Sequence, residues 1–142
     1  VKRIKELAAL EFAGEGRLID DPDFRKKLAA VEVELKSLEM TQLRVVAADR
    51  KRGDKGKPDP ASSILKLKGS EIQQSLTELV MEVVGPYVMP YQPVGMGQNE
   101  PLVGPDYATQ AGPTYFNYRK VSIYGGSNEI QRNIVAKAVL GF

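Results

Sequence analysis

The chain has 142 residues, 42% of them hydrophobic and 27% charged, which suits one folded domain and excludes a chain that is disordered throughout. It has no cysteine and no histidine, so disulfides, thiol catalysis and the usual sulfur and imidazole ligands of metals are excluded. The formal net charge is +2 with both signs interspersed, and no apolar run approaches the roughly 20 residues of a membrane-spanning helix. We therefore expect no metal site, no nucleic-acid partner and no transmembrane segment.

The beginning of the chain predicts a helix over Val1–Ala13 that has no capping residue before it. A helix that begins in the middle of its pattern indicates that the sequence belongs to a longer protein. The first residues also lack the apolar segment that follows the positive start of a signal peptide.

Two long helices follow, and both have the same start signal. Asp21-Pro22 and Asp59-Pro60 each place a capping carboxylate before a proline whose φ is already helical. The predicted helices cover about 22–52 and 59–85. Their apolar stripes are Leu28, Val31, Leu35, Leu38 and Val45 in the first, and Leu65, Ile72, Leu76, Leu79 and Val83 in the second. Because the connection is short, the helices must run antiparallel, and we predict an all-α, up-down helical bundle.

The second half of the chain changes character at residue 86. The stretch 86–113 is rich in proline and glycine and is predicted to be a long irregular loop. A short helix is expected at 114–122 and a last helix at 127–140. The residues of the last helix that are predicted to face inward are Ile130, Ile134, Val135 and Ala138.

The most informative motif joins these last two helices, in the sequence Tyr124-Gly125-Gly126-Ser127-Asn128-Glu129-Ile130. Two glycines permit a tight turn and the close approach of another molecule to the backbone. Ser127 can cap the following helix, whose first N–H groups then point outward. On the residues alone, a plain capped turn is favoured over a ligand site, because short glycine motifs are weakly specific.

The segment from Tyr115 to Lys137, YFNYRKVSIYGGSNEIQRNIVAK, resembles the C-terminal signature of the acyl-CoA dehydrogenases. The closing Val139-Leu140-Gly141 fits the same signature, while Leu18–Pro22 and Ser70-Glu71 match the family more loosely. Members of the family have an N-terminal helical domain, a middle β domain and a C-terminal helical bundle. The resemblance implies that residues 1–142 are that bundle, separated from the other two domains.

The resemblance also implies a reaction. Family members are FAD-dependent oxidoreductases of fatty acid metabolism that convert an acyl-CoA to the trans-2-enoyl-CoA. A glutamate removes the α-proton, and the β-hydrogen leaves as hydride to the flavin. The implied partners are the acyl-CoA substrate, an electron-transfer flavoprotein or similar acceptor, and further copies of the chain in a homodimer or homotetramer. The implied compartment is the bacterial cytoplasm or the mitochondrial matrix.

Carried over to this sequence, the family's pattern implies two groups of site residues. Tyr124, Gly125 and Gly126 would bind the substrate, with the Gly125 N–H donating to the thioester carbonyl and Gly126 giving the acyl group room. The residues implied to contact FAD are Ser127, Asn128, Glu129, Glu82 and Gly85. Glu129 serves equally well as a first-turn carboxylate that the helix dipole favours.

The sequence departs from the family at three places. Gly125 occupies the position where many members carry the catalytic glutamate, and relatives with Tyr-Gly-Gly place that base before the first long helix. The base would then precede Val1, so we assign no catalytic residue and expect the chain alone to be inactive. Glu82 puts a negative charge where the family contacts the FAD pyrophosphate. The loop 86–113 is longer than usual, which suggests a distinct acyl substrate.

Two other interpretations remain open. The chain could belong to a catalytically silent subunit that completes the flavin site of a partner, since Gly125 fits that role as well as it fits a relocated base. It could also be a helical oligomerisation module with no cofactor.

Overall fold

The computed structural model describes residues 1–51, 60–92, 99 and 101–141, and this part of the chain is predominantly helical. Its helices are α1 (Lys2–Ala8), α2 (Pro22–Lys51), α3 (Pro60–Val84), α4 (Ala111–Tyr118) and α5 (Asn128–Leu140). Short 3-10 turns lie at Leu18–Asp20, Gly85–Val88, Asp106–Ala108 and Arg119–Ser122. The predicted all-α fold is confirmed.

The helix predicted over Val1–Ala13 ends early, at Ala8. The chain then forms a small antiparallel hairpin from β1 (Phe12–Ala13) and β2 (Gly16–Arg17). The Arg17 side chain stabilises it, because the guanidinium donates to the Leu10 carbonyl at 2.7 Å and lies 3.9 Å from the centre of the Phe12 ring. These contacts depend on Arg17, which lies beyond the segment from which the helix was predicted.

The start signal predicted for α2 is present in the structure. The Asp21 carboxylate accepts a hydrogen bond from the Phe24 N–H at 2.8 Å, and Pro22 is the first helical residue. Phe24 itself is fully buried, so the cap fixes a helix end next to a core side chain. The matching cap predicted at Asp59 lies outside the described residues, and α3 begins at Pro60.

We expect Asp21→Ala to lower the free energy of unfolding by about 1 kcal/mol, because the Phe24 N–H loses its partner at the helix start. Urea denaturation measures this change. Asp20→Ala is the matched control, since it removes a neighbouring exposed carboxylate that does not cap α2. Equal losses in the two variants would contradict the capping role of Asp21.

The described residues divide into two compact units. The first unit comprises residues 1–30 and 74–119, and its core includes a cluster of Val84, Ala108 and Ala111. In this unit Lys27 of α2 pairs with Glu82 of α3 at 2.9 Å. The structure also shows that α4 begins at Ala111, so the end of the stretch 86–113 that was predicted to be irregular is helical. Residues 93–98 and 100 of that stretch lie outside the description.

The second unit comprises residues 31–73 and 120–142. Ion pairs link its helices, because Lys68 of α3 bonds Glu34 of α2 at 3.1 Å and Arg132 of α5 bonds Glu71 of α3 at 3.2 Å. An early residue of α2 pairs late in α3 (Lys27 with Glu82), and a later residue of α2 pairs earlier in α3. The two long helices therefore run antiparallel, as predicted.

The predicted stripes of α2 and α3 agree with the burial pattern at most positions. Leu28, Val31, Ile72, Leu79 and Val83 are buried, and Leu38, Val45, Leu65 and Leu76 are half-buried. Leu35 is an exception, with 40% of its surface exposed.

The prediction that one apolar face of α5 is buried is wrong for this chain by itself. Ile130 is 53% exposed and Ile134 is 43% exposed, while Ala138 is exposed and Val135 is half-buried. The helical periodicity was read correctly. However, the helix is held by polar contacts at its first turn, and its apolar residues stay largely accessible to solvent.

Candidate functional site

The glycine turn lies between the 3-10 turn Arg119–Ser122 and α5, within the second unit. Gly125 has φ of 68° and Gly126 has φ of 86°, a left-handed conformation that other residues adopt only with strain. Ser127 caps α5, and its hydroxyl accepts from the Ile130 N–H at 3.5 Å. Both glycines are exposed, so their backbone is open to another molecule.

The Gln131 side chain fixes this turn from within α5. Its amide donates to the Gly125 carbonyl at 3.1 Å. A Cβ added at Gly126 would lie 2.5 Å from the same amide nitrogen, whereas a Cβ added at Gly125 would meet nothing within 4 Å. The two glycines therefore have different roles: Gly126 makes room for Gln131, and Gly125 leaves open space beside the turn.

These contacts predict an order of stability for two alanine variants. Gly125→Ala should cost about 1 kcal/mol for the left-handed backbone, and Gly126→Ala should cost more, because Gln131 must also move. Gly16→Ala is the control, because Gly16 does not have a left-handed φ and a Cβ added there would meet open space. Thermal unfolding of the three variants checks the order, and a larger loss for Gly125→Ala than for Gly126→Ala would contradict it.

A buried polar cluster lies directly behind the turn. The Lys66 ammonium on α3 donates to the Asn128 side-chain oxygen at 2.7 Å and to the Ser122 carbonyl at 3.1 Å. Ser70, one turn further along α3, lies 3.1 Å from the Asn128 amide nitrogen. Asn128 is 7% exposed and Ser70 is 5% exposed, so these groups satisfy each other away from solvent.

A cavity of about 350 Å³ lies between α3 and the turn. Its volume is in the range of sites for small molecules. Its lining residues are Leu65, Lys66, Gly69, Ser70, Gln73, Val121, Tyr124 and Gly125. None of these eight is a carboxylate, so the cavity holds no general base of the type that the resemblance implies.

Gly125 brings an unused donor to this cavity. Among the described residues, none accepts a hydrogen bond from the Gly125 N–H. A backbone N–H at the wall of a cavity can polarise a carbonyl oxygen that enters there.

Only some of the residues predicted to contact substrate and flavin lie at the cavity. Tyr124 and Gly125 line the cavity, Gly126 is beside it in the turn, and Ser127 is half-buried and used as a cap. The Asn128 side chain, predicted to face FAD, is buried against Lys66 and Ser70 instead of pointing outward. Sequence reasoning missed Lys66 and Ser70 as site residues.

Glu129 is exposed in the first turn of α5. Hydrogen bonds from its own backbone N–H and from Ser127 hold the pKa of its carboxyl below the ordinary value, with smaller contributions from the charges of Arg132 and Lys66. A depressed pKa means that the carboxylate favours the folded chain at neutral pH, and that this contribution is lost as the pH falls through the pKa.

The other two residues predicted to contact FAD lie in the first unit. Both carboxylate oxygens of Glu82 accept from the Lys27 ammonium at 2.9 Å, and this contact raises the pKa of Lys27. Gly85 begins the 3-10 turn that follows α3. The negative charge of Glu82 is therefore paired with Lys27. This ion pair leaves no free positive charge at position 82 for a phosphate.

Comparison with known proteins decides the family. A sequence profile described as the C-terminal domain of acyl-CoA dehydrogenase matches residues 3–140. The chain belongs to the acyl-CoA dehydrogenase family. It is also 30% identical over 138 residues to acyl-CoA dehydrogenase IpdE1 of Mycobacterium tuberculosis, covering 96% of this chain and 31% of that protein.

The fold of the acyl-CoA dehydrogenase C-terminal domain is also found in a solved structure. A chain of the ChsE4-ChsE5 complex from Mycobacterium tuberculosis matches with a TM-score of 0.71 and 24% identity, over 99% of this chain and 34% of that one. The chain therefore spans about a third of the length of these two relatives. Within the described residues, no helix is long and apolar enough to cross a membrane, and no group of acidic residues could hold a metal ion.

Proposed function

We propose that this chain is the part of an FAD-dependent acyl-CoA dehydrogenase that receives the thioester of the substrate. The observation that carries the proposal is the unused Gly125 N–H at the wall of the cavity beside α3. The thioester carbonyl accepts this hydrogen bond, which stabilises the negative charge that develops on its oxygen when the α-proton is removed. The open space beside Gly125, where an added Cβ would meet nothing within 4 Å, leaves room for the acyl group, whereas the space beside Gly126 is taken by the Gln131 amide.

The exposed face of the turn is better placed to contact a flavin than the buried residues of the turn are. Glu129 is exposed in the first turn of α5, whereas the Asn128 amide is already used inside the chain. FAD bound on that exposed face would supply the hydride acceptor of the reaction, and an electron-transfer flavoprotein or similar partner would reoxidise it.

The base that removes the α-proton comes from outside this chain. No carboxylate lines the cavity, and Gly125 stands where many relatives carry their glutamate. A glutamate on the helix before this chain is the candidate, so the chain by itself should be inactive.

The visible spectrum of the full-length protein tests the proposal. We expect flavin absorption bands in the purified protein and bleaching of those bands by one or more members of a panel of acyl-CoA thioesters. Protein that carries no flavin, even after incubation with FAD, would overturn the proposal. Bleaching by no thioester in a flavin-containing protein would favour the second candidate, a silent subunit.

The second candidate is a subunit that completes the site of a different chain. Two observations favour it: the structural relative was solved as the ChsE4-ChsE5 complex, and this chain supplies a turn without a base. A pull-down of the full-length protein separates the two candidates, because a silent subunit needs a second, non-identical chain for activity.

Assembly with further chains is expected in either case. Exposed apolar side chains follow the length of α5, with Ile130 53% exposed, Ile134 43%, Val139 68% and Leu140 65%. We take Ile130 and Ile134, which share one face of α5, as an apolar patch that fits a further chain packed on it, in a homodimer or homotetramer.

We predict that this chain self-associates in light scattering, and that Ile130→Lys combined with Ile134→Lys shifts it toward monomer by placing two charges on the patch. Val33→Lys is the control, because it puts a lysine at a 66% exposed apolar position on a different helix. A strictly monomeric wild-type chain at high concentration would refute the prediction.

A further inference from the structure

We propose that Lys66 is a positioning residue for the Gly125 N–H, acting by tying both ends of the glycine turn to α3. The inference rests on the proposed function, because the donor that Lys66 positions is the one assigned to the thioester. Lys66 also lines the cavity, but its ammonium is engaged by the Ser122 carbonyl and the Asn128 side-chain oxygen, so the assignment gives it no reacting atom to bind.

The Lys66 ammonium holds one atom on each side of the turn. Ser122, whose carbonyl accepts at 3.1 Å, is the last residue before the turn. Asn128, whose side-chain oxygen accepts at 2.7 Å, is the first residue of α5 after it. One ammonium thus fixes the entry and the exit of the five-residue stretch 123–127, which contains Gly125.

The Asn128 end of these contacts is held inside the protein. Asn128 is 7% exposed, and Ser70, which contacts its amide, is 5% exposed. Ser70 also donates to the Leu67 carbonyl of its own helix at 2.8 Å, so the position of its side chain on α3 is fixed. The Lys66 bonds are partly buried, and the buried Asn128–Ser70 contact next to them is shielded from competition by water.

Gln131 and Lys66 order the turn in two different ways. Gln131, on α5, holds the Gly125 carbonyl and sets the internal conformation of the turn. Lys66, on α3, sets where the turn lies relative to the cavity wall that α3 supplies. Loss of Lys66 should therefore release both ends of the turn from α3, loosen the first turn of α5 and displace the Gly125 N–H, and a small displacement of a catalytic donor is expensive in rate.

Lys68 provides a matched control on the same helix. Its ammonium pairs with Glu34 and Glu71 at 3.1 and 3.0 Å, and its side chain is 45% exposed. Lys68→Met removes the same charge and the same donor as Lys66→Met, two residues away, but it touches neither end of the turn.

The experiment compares full-length wild type, Lys66→Met, Lys66→Arg and Lys68→Met in two measurements. Hydrogen exchange followed by mass spectrometry on a peptide covering 123–132 reports the Gln131 N–H, which bonds the Ser127 carbonyl at 2.9 Å. Steady-state kinetics with an acyl-CoA that bleaches the wild type report kcat and KM separately.

We expect faster exchange in this peptide for Lys66→Met than for wild type and Lys68→Met. We also expect kcat to fall by about 100-fold with KM little changed, because the donor acts on the developing charge of the transition state. Lys66→Arg should recover most of kcat, since a guanidinium can donate to both acceptors at once. Loss of folded protein alone would also lower the apparent kcat with KM unchanged, so kcat is expressed per bound flavin, and on that basis a purely structural role leaves kcat unchanged.

Unchanged exchange in Lys66→Met, or equal effects of Lys66→Met and Lys68→Met, would overturn the inference. If Lys66→Met exchanges faster than wild type but no thioester bleaches the flavin of the wild type, the anchoring role of Lys66 stands and the proposed function is refuted instead. If Lys66→Met does not fold, Lys66→Gln replaces it, because its shorter, uncharged side chain cannot hold the Ser122 carbonyl and the Asn128 side-chain oxygen at once. Wild-type kcat and wild-type exchange in a folded Lys66→Gln variant would likewise overturn the inference.

Discussion

Asn128→Ala should lower the free energy of unfolding of this chain by about 2 kcal/mol. The substitution removes the acceptor of a partly buried bond from the Lys66 ammonium at 2.7 Å and the amide of a buried contact with Ser70. The ammonium keeps the Ser122 carbonyl, so the loss is one charge-assisted bond and a small cavity rather than a fully unpaired charge. Urea denaturation followed by circular dichroism measures the change.

Asn133→Ala is the matched control for this prediction, because Asn133 lies on the same helix and is exposed. It should change the free energy of unfolding by about 0.5 kcal/mol or less, in the stabilising direction, since alanine is the better helix former. A loss at Asn133 as large as the loss at Asn128 would mean that the polar cluster behind the turn contributes nothing specific.

Local signals in the sequence predicted the helix starts well. The Asp21 cap, the proline after it and the Ser127 cap of α5 are each decided by residues within one turn of the helix end. The same local signals could not predict the hairpin after Ala8, whose Arg17 side chain reaches back seven residues to the Leu10 carbonyl. Contacts of that range are invisible to periodicity.

Burial on α5 shows a different limit. The spacing of Ile130 and Ile134 correctly identifies one face of a helix, but it does not say what covers that face. In this chain the face is exposed. The apolar pattern therefore indicates a packing face whose partner is not among the described residues. Leu35 on α2 has the same status.

The sequence predicted the glycine turn of the candidate site, but it did not predict the residues of α3 that hold this turn. Gly125 and Gly126 were identified from the motif, whereas Lys66 acts on Asn128 across 62 positions of sequence. A signal for it did exist on α3, where the buried polar residues Ser63, Ser70 and Thr77 recur every seven positions inside an apolar pattern. Polar groups that repeat on a buried helix face predict a partner, although the sequence does not name the partner.

Gly125→Glu in the full-length enzyme is expected to lower activity when it is the single change. The structure leaves space for the new side chain, because a Cβ at Gly125 meets nothing within 4 Å and the position lines the cavity. The left-handed φ of 68° adds roughly 1–2 kcal/mol of strain. A second carboxylate near the upstream glutamate also disfavours the charged form of both groups, and the base must be charged to accept a proton.

Gly125→Glu should nevertheless restore part of the rate that is lost when the upstream glutamate is changed to glutamine. Loss of a general base costs roughly 100- to 10,000-fold, and the new carboxylate, with no like charge beside it, can reach the same α-proton from the cavity wall. We expect kcat/KM of the double variant to exceed that of the upstream single variant by about tenfold or more, below the wild-type value because of the backbone strain. Gly125→Gln in the same background has the same size and backbone without a base, and it should restore nothing. If the glutamate double variant is as inactive as the glutamine one, the turn does not face the substrate α-carbon. If no upstream carboxylate matters to the rate at all, the base was never in this protein, and the silent-subunit interpretation becomes the better one.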